Sequence, residues 1–280
     1  MAIYQLSDSK PTTILIPDQS ERVAFGIASV LQAAKAPFWI YTEHPGRLAA
    51  LFPEHLAHSA DDFPAVPQII IDCTWLPNHD ALVEDVIEVF PNVPVLFATP
   101  CMTSTHLQMM YGSAATIRFN GTPALFPAQN RIELALSLGT AEDVEQYVAR
   151  YFHLLGFETE VVSDVVGMVT PRVLAMLINE AAFTLQEGIA TASDIDTAMK
   201  LGTNYPFGPL EWADMIGIDL VLSLLDALYT EYKQERYRAC PLLRRFVYAG
   251  RYGRLVRHGF YRYDSEGGQY DDDAVLDKAL

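Results

Sequence analysis

The chain has 280 residues, with 19 Lys and Arg against 35 Asp and Glu, a net charge of −16; half of its residues are hydrophobic and 19% are charged. That mixture folds rather than staying disordered, its length suits two domains, and its acidic excess excludes the sequence-independent grip on phosphate that nucleic-acid binding needs. Three scattered cysteines, Cys73, Cys101 and Cys240, exclude a zinc ribbon or disulfide framework, and neither an apolar run of ~20 residues nor a secretory leader layout is present, so the expectation is a cytoplasmic protein with no membrane or nucleic-acid partner.

In chain order, Thr12–Pro17 (TTILIP) is predicted as a strand, Val23–Ala34 as a helix, Pro37–Tyr41 as a second strand and Gly46–Phe52 as a helical turn. Gln68–Cys73 follows as a third strand, Asp80–Val89 as a helix, Val93–Ala98 as a fourth strand, Ala141–Leu155 as a helix and Glu158–Val162 as a last strand. Short β-branched runs separated by amphipathic helices predict a parallel sheet wrapped by helices. From about Ser163 the pattern becomes helix after helix. Thr170 with Pro171 opens the first, and Gly188 stops it. Ser193–Asp196 reads as a capping box and Gly202 as the stop of that helix; Pro209, Asp219 and Pro241 open the next three. The expected fold is therefore α/β plus all-α, with residues 1–163 a Rossmann-like domain and 164–280 helical.

The first strand-to-helix turn is where a dinucleotide would place its pyrophosphate, on backbone N–H groups exposed by glycines. Here the turn is Pro17-Asp18-Gln19-Ser20-Glu21-Arg22, with no glycine before Gly26. Gln19 and Ser20 are the backbone positions available to a cofactor, and Glu43, after the second strand, is the acid available to a ribose hydroxyl. Asp18 and Glu21 place negative charge where phosphate would lie, so dinucleotide binding is expected to be weak or absent. Glu54, His55, His58, Asp61 and Asp62 crowd one segment but lack a metal-site spacing, and no metal is expected.

Two segments of the helical half are distinctive: Ala198–Asp219, AMKLGTNYPFGPLEWADMIGID, and Arg251–Tyr263, RYGRLVRHGFYRY. Together they resemble the C-terminal signatures of the 3-hydroxyacyl-CoA dehydrogenase family. The resemblance implies a homodimer formed through the helical domain and an oxidoreductase of fatty acid metabolism, moving a hydride between NAD and carbon 3 of an acyl-CoA. It also implies a His as general base, oriented by a Glu, with an Asn and a Ser contacting substrate. The segment from Lys233 to Arg262 holds nine basic residues and one acid, Glu235. It is either a solvated face or a patch for an anionic ligand such as the phosphates of coenzyme A.

Carried over residue by residue, Glu133 matches the family Glu and Phe119-Asn120 the end of its HFFNP-like segment. Ile117 then stands at the His position, Gly121 at the following Pro and Pro171 at the substrate-contacting Asn. The loop Thr103–Leu107 covers the Ser position, with Thr105 and His106 as candidates. Candidate catalytic residues are thus Glu133, Asn120, Thr105 and His106. An Ile accepts no proton. Three readings stay open: a non-catalytic dimeric ligand-binding or scaffold protein, an enzyme using another base such as His106, or a different register near Ile117.

Overall fold

A computed structural model describes residues 12–17, 21–44, 46–59, 63, 66–76, 80–113, 115–265 and 268–270. The chain divides into two compact units, Met1–Val169 and Thr170–Leu280.

The first unit is built on an eight-stranded sheet. Its strands are β1 (Thr13–Ile16), β2 (Phe38–Tyr41), β3 (Leu56–Ala57), β4 (Ile69–Asp72), β5 (Val95–Phe97), β6 (Thr116–Phe119), β7 (Arg131–Leu136) and β8 (Glu158–Val162), ordered β3-β2-β1-β4-β5-β6-β7-β8. The helices are α1 (Arg22–Ala33), α2 (Gly46–Leu51), α3 (Ala81–Val89), α4 (Ser104–Tyr111) and α5 (Glu142–Leu154). β1, β4, β5 and β6 are buried along their whole length, as strands covered on both faces must be. On one face Ile14, Ile16, Ile70, Val95 and Phe97 pack against Val83 and Val86 of α3 and Leu107 and Tyr111 of α4. On the other, Phe119 meets Phe152 of α5 at 5.3 Å and Phe126 at 5.6 Å between ring centroids.

The strand order from β3 to β6 is that of the dinucleotide fold. The expectation of a parallel sheet needs one correction: β6 and β7 are antiparallel, so β7 and β8 run against the rest. A second correction concerns Thr103–Leu107, read as a loop. It is an N-cap and first helical turn, because the Thr103 hydroxyl accepts the His106 N–H and starts α4.

The second unit comprises α6 (Thr170–Gln186), α7 (Ala192–Thr203), α8 (Pro209–Ile216), α9 (Ile218–Tyr232) and α10 (Pro241–Tyr248), then short β9 (Arg262–Tyr263) and β10 (Gln269–Tyr270). Pro209 and Pro241 open helices as expected, since a first-turn N–H is not needed there. The cap of α7 is Thr191, bonded to Asp194, rather than Ser193 with Asp196. α7 runs past Gly202 to Thr203 and ends on left-handed Asn204; Gly217, not Asp219, precedes α9. In each case a neighbouring residue supplies the cap, and Asp196 is drawn into the core.

Candidate active site

β6 is the strand on which the catalytic chemistry would turn. Side chains alternate along it. Arg118 points to the α4 side, while Ile117 and Phe119 point to the α5 side. Ile117 is fully buried, between Leu96 of β5 and Leu136 of β7. The residue that the resemblance sets at the His position is therefore a core residue.

Arg118 is also fully buried. It donates from Nε to Ser104 Oγ at 3.2 Å, and from Nη2 to Asp164 Oδ1 at 2.9 Å and Val165 O at 3.0 Å. Asp164 in turn accepts the first N–H groups of α4, Ser104 at 2.7 Å and Thr105 at 2.9 Å. Burial pushes the Asp164 carboxyl up, but the Thr105 and Ser104 amides and the Arg118 guanidinium outweigh it and hold the group below the ordinary carboxylate range. The protein's own carboxylate thus occupies the N-terminus of α4. The segment after it is bonded to the same unit: Gly167 donates to Pro100 O at 2.7 Å, and Val169 donates to Glu133 Oε2 at 2.9 Å. These bonds explain why 164–169 belongs with the sheet.

The structure brings Asn120 and Glu133 together at the end of β6, where Asn120 N–H donates to Glu133 O at 3.1 Å. Asn120 is 1% exposed. Its Oδ1 accepts from the Thr122 amide at 3.2 Å and the Thr122 hydroxyl at 2.6 Å, while its Nδ2 has no hydrogen-bond partner among the described residues. Thr105 Oγ1 accepts the Leu138 N–H at 3.1 Å. His106 lies exposed on α4. Sequence reasoning did not join Arg118, Ser104 and Asp164; a charged residue inside an apolar β-run was the available signal.

At the dinucleotide end, Gln19, Ser20 and Asp18 lie outside the described residues. Glu43 is exposed. The Glu21 carboxylate accepts the Arg47 N–H at the start of α2, so the residues described at the ends of β1 and β2 do not fit a dinucleotide. Asp61 and Asp62 of the acid–His segment also lie outside the described residues. His55 stacks on Phe38 with ring centroids 4.0 Å apart, its Nδ1 within hydrogen-bond distance of Phe38 O at 2.9 Å.

In the second unit the two distinctive segments form one lock. Asp214 of α8 is 1% exposed and accepts the N–H groups of Phe260 and Tyr261 at 2.9 and 3.0 Å and the Tyr263 hydroxyl at 2.9 Å. Asp196 accepts the N–H groups of Leu210 and Glu211, both at 2.9 Å, and the Tyr261 hydroxyl at 2.7 Å. Burial pushes the Asp214 carboxyl up to about 7 and raises Asp196 as well, against the pull of their donors. Gly208 and Gly259 lie so close that a Cβ on either would collide with the Asp196 or Asp214 side chain. Several basic residues of Lys233–Arg262 are engaged locally: Arg244 with Asp226, Arg238 with Glu235, Arg251 over Phe246 and Arg254 over Tyr263.

Residues 167–263 match the 3-hydroxyacyl-CoA dehydrogenase C-terminal domain. The chain is 39% identical over 137 residues to the 3-hydroxybutyryl-CoA dehydrogenase of Bradyrhizobium diazoefficiens, covering 49% of this chain and 47% of that protein. It is 46% identical over 103 residues to that of Clostridioides difficile, 37% of each. The chain spans about half the length of the curated relatives it matches first. The crystal structure of (S)-3-hydroxybutyryl-CoA dehydrogenase from Ralstonia eutropha superposes with a TM-score of 0.71 at 27% identity, covering 92% of this chain and all of that one. Residues 167–263 thus belong with the 3-hydroxyacyl-CoA dehydrogenase C-terminal domain, and the chain shares the sheet-then-helices order of the Ralstonia eutropha enzyme.

Proposed function

We propose that the chain is a cytoplasmic, homodimeric acyl-CoA-binding protein of this family that does not run NAD-linked 3-hydroxyacyl-CoA turnover at an ordinary rate. The observation that carries the reading is Ile117, an aliphatic core residue where the general base would stand. Glu133 supports it, because its carboxylate accepts the Val169 backbone N–H. The ligand class rests on the names of the relatives.

The homodimer rests on α6. Its outward face carries Val173, 56% exposed, with Met176 and Leu177. Cavities of about 290 and 550 Å³ lie along it, sharing Leu177 and Glu180. Arg172 and Glu180 stand two turns apart with Met176 between them. Two antiparallel copies of α6 crossing at Met176 would set each Arg172 against the other's Glu180, which a two-fold interface requires.

The test is NADH oxidation with acetoacetyl-CoA, together with calorimetric titration of acyl-CoA. Turnover at background with acyl-CoA bound is the expected result. General-base catalysis contributes about 10²–10⁴-fold, so robust turnover would refute the reading. Ile117→His alone is expected not to restore activity, because Pro171 still replaces the substrate-contacting Asn.

A second reading, NAD-linked 3-hydroxyacyl/3-oxoacyl interconversion with a substitute base, is favoured by one observation. The Asn120 Nδ2, without a hydrogen-bond partner among the described residues, is a buried donor suited to a substrate oxygen. Turnover abolished by His106→Ala would support it.

A further inference from the structure

In the dinucleotide fold the ligand crosses the carboxyl ends of β1 and β2, its pyrophosphate on the first turn and its ribose at an acid after β2. Glu21 is the last residue before α1. Its φ is +56°, in the left-handed region that non-glycine residues seldom enter. From there its carboxylate reaches the first residues of α2. Oε2 accepts the Arg47 N–H at 2.9 Å, from a residue 26 positions on. Gly46, with φ +43°, approaches so closely that a Cβ would collide with Glu21 Oε1. The carboxylate therefore rests on the turn between β2 and α2, three residues past Glu43, the position read as the ribose acid. The first glycine after β1, Gly26, is already inside α1 and faces Pro127.

We propose that Glu21 is an intrachain latch that fastens the start of α1 to the start of α2 and shuts dinucleotides out of the crevice. It acts by bulk, occupying the space against Gly46 and Arg47, and by charge, facing the ligand's phosphates with an anion. The latch deepens the proposed function, since it accounts for a family fold without cofactor chemistry. It is read by nucleotide binding in the absence of acyl-CoA, so acyl-CoA binding can fail while the latch stands.

The experiment titrates NADH into the full chain, followed by nicotinamide fluorescence, for the unmodified protein, Glu21→Ala and Glu21→Gln. Hydrogen exchange of residues 46–51 is measured in parallel. The unmodified protein is expected not to saturate at about 1 mM, a contact worth only ~4 kcal/mol. Glu21→Ala is expected to bind roughly tenfold tighter or better and to exchange faster at Arg47. Glu21→Gln keeps an acceptor without the charge and falls between; it carries the test if the Ala variant does not fold. Tight NADH binding by the unmodified chain overturns the latch. So do folded variants that bind no better than it.

Discussion

Arg118 carries a full charge inside a strand buried on both faces, and Asp164 makes that tenable. A buried ion broken from its partner costs far more than a surface pair, about 3–5 kcal/mol. Asp164→Ala is therefore expected to lower the unfolding free energy by roughly that amount, measured by urea denaturation at neutral pH. The half-buried Asp164 and the buried Asp214 carboxylates have opposite pH signs. The Asp164 carboxyl is held below its unfolded value, so its contribution is present above about pH 3.9 and is lost as pH falls through the depressed value. The Asp214 carboxyl is raised from 3.8 to about 7, so its stabilisation is greatest below the unfolded value and declines as pH rises to about 7. In urea denaturation across pH 4–8, the stability difference between the unmodified chain and Asp214→Asn should fall as pH rises and then level off. A difference that rises with pH would contradict the burial of Asp214 as a proton-binding group.

At the scale of elements, the lock between α8 and the tail depends on missing side chains. Gly259→Ala puts a methyl into the Asp214 carboxylate, an overpacking that typically costs about 1–3 kcal/mol. Gly202→Ala meets open space inside α7 and should stabilise by about 0.5–1 kcal/mol. Paired thermal melts of the two variants check both signs. The elements that were legible in the sequence share one property: their pattern is local. β1, β2, β4 and β5 are apolar runs between breakers, and α5 and α6 have clear apolar stripes. β6 was hidden because Arg118 interrupts its run, and the partner that neutralises it lies 46 residues away. β7 was hidden in RIELAL, whose alternation does not state its direction. The Glu21 contact and the Asp164 cap were illegible for the same reason, since each joins residues distant in the chain. The resemblance singles out Glu133 and Asn120, while the hydrogen bond from the Asn120 N–H to Glu133 O, which joins neighbouring strands, was not legible.

At the scale of the whole molecule, the outward face of α6 predicts the assembly. Light scattering at tens of micromolar should give twice the chain mass. Met176→Glu places two like charges at the proposed two-fold crossing and should give a monomer. A monomeric unmodified chain would remove the dimer from the proposed function and leave the acyl-CoA arm to stand alone.

The Asp196–Asp214 lock closes entirely on residues between 196 and 263. Its hydrogen-bond donors, on Leu210, Glu211, Phe260, Tyr261 and Tyr263, all lie within that stretch. Such a stretch can be inherited as a cassette. Mutation can rework the strand-rich half, where Ile117 and Glu21 lie, while these hydrogen bonds of the lock stay as they are. Natural selection then preserves the visible signature of ancestry and the working chemistry by separate accounts. In this chain, a mutational tolerance map should show Gly208, Gly259, Asp196 and Asp214 as intolerant for folding even if every trace of turnover has drifted away.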